Sequence, residues 1–491
     1  MEMPNKLLEA HFCSISSQSN VYGLAKLPMA DGMDKLLIAS TRRKVYVFEY
    51  VLKQVNPSKI VHRSNISNKN LLPSSRELHF TYIPSAAEII SIDAFNRSTH
   101  GNDFVVGITF MRNPESSKSA KRQSHKPMRK RRGQPVKKQS EQPVIQQSDR
   151  SAAQQSDPSE TQNSDQPVTQ KSDQSVKQQI DQSAKQQNEK PPKQYFLNLY
   201  SDCDSGTAFD LDRLAQTCMS IQLDFIPYQL THTELILENS KEIVWLLSGS
   251  DNKVHLFRED KLNICNSFNE DICEEYFPEF IDCPSIVLMM KIKYFDDYKK
   301  RLTVFGCENG YIKTAVVKTE SSVGEESQDS TDSSTSDDFL QFHILACSAL
   351  ELTAVFRNVL EDEFKNAKIL KNSNKFDCVL AGCVADIDMD GVNEVLLGTY
   401  GQELLCYKLD TKSQLYQLTW QKSLAHPILA LYYEDITDDG LKELMVLSVR
   451  GLHILQHDLD EVANLCMKRL SQVAINLNKA DTFKALQSED L

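Results

Sequence analysis

Short apolar runs bounded by turn-forming residues recur along most of this chain. Lys35 to Ser40, Val45 to Tyr50, Phe104 to Phe110, Ile243 to Leu247 and Leu302 to Gly306 are rich in Val, Ile, Leu and aromatics. Asp31-Gly32, Gly249-Ser250-Asp251-Asn252 and Glu308-Asn309-Gly310 punctuate them. Runs of this length between such turns read as strands. Before residue 350 no stretch holds a helical period. Beyond the last strand-like run, Leu459, Val462, Cys466, Leu470, Val473 and Leu477 recur at spacings of three and four. They predict an amphipathic helix of about five turns, expected to pack on the strand-rich body, or else to dock on a partner.

Two stretches are copies of one template. Asp386-Ile-Asp388-Met-Asp390-Gly391-Val-Asn-Glu394 leads into Val-Leu-Leu-Gly398 and then Gly401 to Lys408. Asp435-Ile-Thr437-Asp438-Asp439-Gly440-Leu-Lys-Glu443 leads into Leu-Met-Val and then Gly451 to His457, 49 residues further on. Each copy reads strand, acidic loop, strand, turn, strand. Weaker copies lie upstream, and in one of them Phe104 to Phe110 finds its return strand only at Tyr195 to Tyr200. Seven hairpins result, centred near residues 40, 105, 248, 306, 348, 397 and 448. A nearly all-strand repeat of about 50 residues closes most naturally as a β-propeller, whose radial repetition leaves only short edges. The expected fold is therefore all-β. It is a seven-bladed propeller of the integrin-α/FG-GAP kind, with six or eight blades compatible with the weaker copies. Residues 1–458 form it and 459–491 a helix and tail. No Trp-Asp or Gly-His blade signature points to a WD-type ring.

Two segments stand apart from this pattern. Residues 112–193 begin with the basic cluster Lys126 to Arg132 and continue as near-repeats of Gln-Ser-Asp. Residues 319–338 carry seven acidic residues and no basic ones. Both have too little apolar content to offset the entropy of ordering, and are read as long disordered loop insertions. The basic cluster is read as a solvated arm rather than an import or RNA-binding tract. The formal net charge of the chain is −12. With 17 Lys/Arg against 9 Asp/Glu between Arg112 and Gln194, the remainder carries about −20 (−12 minus +8), which repels nucleic acid and anionic lipid.

The N-terminus has no signal-peptide layout, and the apolar runs are far short of the ~20 residues of a membrane span. A cytoplasmic protein without a transmembrane segment is expected. The 12 cysteines form no C-x-x-C pair, and Cys347, Cys378, Cys383 and Cys406 sit in apolar runs. They are read as small buried hydrophobes of a reducing compartment.

The acidic loops are the one feature with metal chemistry. Asp386, Asp388 and Asp390 at alternate positions aim carboxylates at one point. Gly391 allows the bend, and Glu394 with the Val392 carbonyl extends the oxygen set. Calcium, which takes six to eight oxygens, is the natural occupant. The second loop, with Asp435, Thr437, Asp439 and Glu443, is a weaker version. Leu397 at the twelfth position and strand-like flanks exclude an EF-hand. The pattern resembles the integrin-type FG-GAP loop. The plainer alternative is that these carboxylates cap turn amides. No cofactor is required for folding on this reading.

Catalytic motifs are missing from the sequence: there is no Gly-x-Ser-x-Gly elbow, P-loop or His-Glu-x-x-His. His426, His453 and His457 lack metal-site spacing and are read as strand or turn residues. A non-catalytic protein is expected.

Several segments resemble the kaptin family, propeller subunits of the KICSTOR complex. They are Ser16 to Ala25, Leu78 to Pro84 with Ile89 to Asp93, Val105 to Phe110, Thr399 to Lys408 and Gly451 to His457. The resemblance implies a scaffold beside a second FG-GAP propeller protein and the other KICSTOR subunits. It also implies a place at the lysosomal membrane, reached through those partners, where the GATOR complex is tethered to restrain target-of-rapamycin (TORC1) signalling under nutrient scarcity. The alternative it implies is association with filamentous actin in actin-rich projections. The Gln-Ser-Asp insertion departs from the family pattern.

Overall fold

The computed structural model describes residues 7–52, 71–98, 100–113, 192–202, 209–237, 240–260, 267–319 and 341–488, with side chains given up to residue 476 in the last helix. The insertion read over 112–193 and the acidic segment read over 319–338 lie almost wholly outside the described residues, as does the basic cluster.

Seven antiparallel sheets follow one another along the chain. The first blade holds Leu24–Leu27, Lys35–Ala39, Val45–Leu52 and Leu71–Leu78. The second holds Ala87–Asn96, Phe104–Arg112, Gln194–Ser201 and Cys218–Leu223. Its middle hairpin pairs Arg112 with Gln194, so the strand pair closes on either side of the insertion. The third holds Pro227–Leu237, Ser240–Gly249, Val254–Glu259 and Phe268–Asp271. The fourth has Val287–Phe295, Lys300–Cys307 and Ile312–Lys318, and the fifth Ile344–Ala346, Ala354–Phe356 and Ala367–Ile369. Among the described residues these two sheets have three strands each, not the four expected per unit. The sixth holds Val379–Ala385, Glu394–Thr399, Glu403–Asp410 and Leu415–Ser423.

The seventh blade is built from both ends of the chain. Ile428–Glu434, Glu443–Ser448 and Gly451–Gln456 are completed by Leu8–Ser14, which pairs antiparallel with Gly451–Gln456 from Leu8↔Gln456 to Ser14↔Gly451. This clasp closes the ring: a seven-bladed β-propeller. The first strand of blades two, three, four, six and seven carries a bulge at one place, beside Ile89, Pro227, Val287, Val379 and Ile428. The repeat seen in two loops is thus present in the backbone of most blades.

The alternation along each central strand puts one row of side chains toward each neighbouring blade. In the third blade, for example, Val244 and Leu246 pack toward the fourth, while Trp245 and Leu247 pack toward the second. Apolar clusters of this kind join blades one and two, two and three, three and four, five and six, six and seven, and seven and one. Between the fourth and fifth, Phe295 and Phe342 meet with ring centroids 5.2 Å apart.

Two expectations need correction. The helix forms, over Leu459–Ser488, but its stripe is not packed on the body. Leu459, Leu470 and Val473 are 64%, 59% and 55% exposed, Cys466 is exposed, and only Val462 is half-buried. Apolar residues also lie off the stripe, with Met467 and Ile475 exposed, so the helix has no single apolar face to commit. Leu477 falls among side chains outside the described set. Of the cysteines read as buried, Cys406 is, Cys378 and Cys383 are half-buried, and Cys347, just past the strand Ile344–Ala346, is exposed. The described cysteines are all free thiols. No described helix is long and apolar enough to cross a membrane.

Candidate functional site

The two acidic loops connect the first and second strands of the last two chain-encoded blades. Their turns are alike in backbone. Gly391 and Gly440 take φ of 90° and 87°, where a side chain would be strained. Met389 and Asp438, two residues earlier, also have positive φ, at 58° and 53°.

The first loop begins at Asp386. The two Asp386 oxygens accept from the Asp390 amide (3.0 Å) and the Gly391 amide (2.9 Å), capping the turn. One Asp390 oxygen accepts from the Val392 amide (2.9 Å), and Glu394 Oε2 accepts from the Ile387 amide (2.8 Å). The oxygens left over converge on a side chain the sequence reading did not single out. Lys408 Nζ lies 2.6 Å from Asp388 Oδ2, 2.6 Å from Asp390 Oδ2 and 2.7 Å from Glu394 Oε1. Burial works against the Lys408 charge, yet the hydrogen bonds to the three carboxylates outweigh it and hold its pKa above the ordinary lysine range. Burial also opposes ionisation of Asp390, but Lys408 and the Val392 amide hold its carboxyl below the usual value. Glu394, buried at the base of the loop, is pushed up by desolvation against the pull of Lys408. Carboxylate oxygens of Asp386, Asp388 and Glu394 lie within 4.8 Å of one another, a spread a metal ion could bridge.

The second loop repeats the caps without the lysine. Asp435 accepts from the Thr437 amide (3.2 Å) and the Gly440 amide (2.8 Å), and Asp439 from the Leu441 amide (2.8 Å). Buried Glu443 accepts from the Ile436 amide (3.0 Å), the Thr437 hydroxyl (3.2 Å) and Gln456 Nε2 (3.3 Å). Burial, with Asp439 and Asp435 adding to it, pushes the Glu443 pKa up to about 7.

A pH dependence follows. The folded-state pKa stands above the ordinary 4.5, so between those values the native state holds a proton that the unfolded chain has released. Stability from this group is full below pH 4.5 and is lost as pH rises through about 7. The variant Glu443→Gln keeps an acceptor for the Ile436 amide and removes the titration. Its melting temperature should fall less than the parent's between pH 5 and 8. At pH 8 it should gain on the order of 2 kcal/mol. Parallel slopes in scanning calorimetry would refute the assignment.

Two histidines of the last blade, His453 and His457, are partnered within the sheet. His453 Nδ1 meets Glu9 Oε1 of the clasp strand at 2.8 Å, and His457 Nε2 meets the Tyr433 hydroxyl at 3.0 Å. A cavity of about 600 Å³ opens elsewhere, between ends of the second, third and fourth blades, lined by Phe95, His232, Glu234, Ile243, Tyr294 and Tyr298. His232 is held there by Asp93 at 2.7 Å. Burial disfavours its imidazolium, but Asp93 outweighs burial and raises the pKa.

A family model described as "KICSTOR complex protein kaptin" matches residues 7–124, 180–327 and 320–467. The mouse protein of that description is 32% identical over 495 residues, spanning 96% of this chain and 92% of its own length. The chain belongs to the kaptin family. The family's match runs through all seven blades and stops within the C-terminal helix. Solved structures with a similar trace include the C-terminal WD40 domain of Sif2 (11% identity, TM-score 0.36, 91% of this chain and 99% of that one). Sqt1 of Saccharomyces cerevisiae is another (7% identity, TM-score 0.39, 92% and 99%). At that level the likeness adds nothing to the sheet order, which defines the ring by itself.

Proposed function

We propose that this chain is a non-catalytic scaffold subunit of a KICSTOR complex, tethering the GATOR complex at the lysosomal surface to restrain TORC1 signalling when nutrients are scarce. The observation that carries this reading is the 32% identity to the mouse kaptin protein across nearly the whole of both chains. Similarity kept over every blade fits a protein whose surface is its function, because partner contacts spread over 20–30 residues a side rather than over a few catalytic groups. Local chemistry agrees. Burial pushes the thiols of Cys218, Cys283 and Cys383 up to about 11 and that of Cys406 to about 12, which leaves them protonated and poor nucleophiles.

Affinity purification of the tagged full-length chain from nutrient-starved cells, followed by mass spectrometry, tests the proposal. A second FG-GAP propeller protein, the remaining KICSTOR subunits and GATOR components should co-purify. Recovery of none of these would end the scaffold reading, and co-sedimentation with filamentous actin alone would put the cytoskeletal alternative in its place.

A further inference from the structure

The 386–394 loop has the charge pattern of a calcium site, yet most of its carboxylate oxygens already have partners. Both oxygens of Asp386, one of Asp390 and one of Glu394 accept from backbone amides. The facing oxygens of Asp388, Asp390 and Glu394 each lie within 2.7 Å of one ammonium. Lys408 Nζ donates to Asp388 Oδ2 and Asp390 Oδ2, and the charge of Glu394 Oε1 stands 2.7 Å away. A divalent ion bound by these same oxygens would sit within a few ångströms of a positive charge, and would lack the six to eight free oxygens calcium takes. The residues present do not fit the metal that the loop pattern implies.

The same cross-strand position in other blades supports this. Lys408 stands opposite Glu394, one step beyond the pair Val395↔Tyr407. In the first blade the corresponding step beyond Leu36↔Phe48 places Lys35 opposite Glu49, an ion pair with the signs exchanged. In the seventh, the step beyond Leu444↔Leu455 places Glu443 opposite Gln456, a neutral donor, and Thr437 replaces the second Asp. Each of these three blades answers this pair with a complementary side chain.

We propose that the Lys408 ammonium is the resident cation of the 386–394 loop, occupying the place a divalent ion takes in loops of this pattern and making the blade metal-independent. The test uses the purified full-length chain and calcium itself. The unaltered protein should give no calorimetric heat with calcium, and its melting temperature should move by less than about 1 °C between calcium and EGTA, as expected without a bound ligand. Lys408→Met should melt at least about 3 °C lower, because three carboxylates lose their counter-charge. Calcium should return part of that loss by entering the freed oxygens. Calcium-dependent stability of the unaltered protein would overturn the proposal, as would a K408M variant that melts like the parent or one that stays destabilised in calcium. Should K408M fail to fold, terbium luminescence on the unaltered chain decides alone: saturation at micromolar terbium refutes the proposal, and no saturation upholds it.

Discussion

Replacing Arg301 by Ala should cost the fold about 3–5 kcal/mol, the range for breaking a buried ion pair from one side. Arg301 lies on the middle strand of the fourth blade with its side chain 3% exposed, and Glu279 beneath it is fully buried. The guanidinium donates to Glu279 through Nε and Nη2, both at 2.9 Å, and Nη2 also donates to the Tyr276 carbonyl at 2.6 Å. The Thr303 hydroxyl donates to the same carboxylate at 2.7 Å, and the Phe277 ring lies 4.3 Å from the guanidinium carbon. Truncating the arginine strands a carboxylate where water cannot reach it. Glu279→Ala should cost a similar amount by stranding the cation. The double replacement R301M/E279L should recover most of the loss, because apolar groups of similar volume leave no buried charge behind. Chemical denaturation of the three variants checks this. Single-variant losses under about 1 kcal/mol would show that solvent reaches the pair.

The second large effect concerns the clasp. Leu8–Ser14 supplies the outer strand of the seventh blade, and its side chains serve two seams: Leu7 packs between blades six and seven, Cys13 and Ile15 between seven and one. The Phe12 ring lies tilted against His453 with centroids 4.5 Å apart, and Glu9 accepts from the same imidazole. Without residues 1–14, the strand Gly451–Gln456 becomes an edge paired on one side only, and among the described residues the ring loses the strand pairing that joins its two ends. Amide exchange over 451–456 should then accelerate by orders of magnitude, while the second and third blades, whose seam is intact, keep their protection.

Much of this was legible in the sequence, for physical reasons. The seven hairpins fall where the apolar runs predict them, because a central propeller strand is buried on both faces and cannot be written in polar residues. Phe104–Arg112 and Gln194–Ser201 were matched across the insertion for that reason. Edge strands are less constrained. Leu71–Leu78 contains Pro73 and two serines, and Ala367–Ile369 follows a charged, unpatterned stretch, so neither announced itself. The clasp strand, Leu-Glu-Ala-His-Phe-Cys-Ser, alternates weakly and was missed.

At the candidate site the glycine turns and the carboxylates were readable, as was the capping role of Asp386 that had stood as the alternative. The role of Lys408 was not. Its signal was present: counting outward from the turn at Gly401 places it opposite Glu394. A pattern read along one loop does not reveal the charge supplied by the neighbouring strand.

The claim on which the account rests is that the chain's two ends meet in one sheet. Hydrogen–deuterium exchange of the intact protein measures it directly. Amides of residues 8–14 that face 451–456 should exchange as slowly as their ladder partners; both should speed up together in Phe12→Pro, and those of 451–456 in the variant lacking residues 1–14. Fast, tail-like exchange over 8–14 beside slow exchange over 451–456 would contradict a ring closed by this clasp.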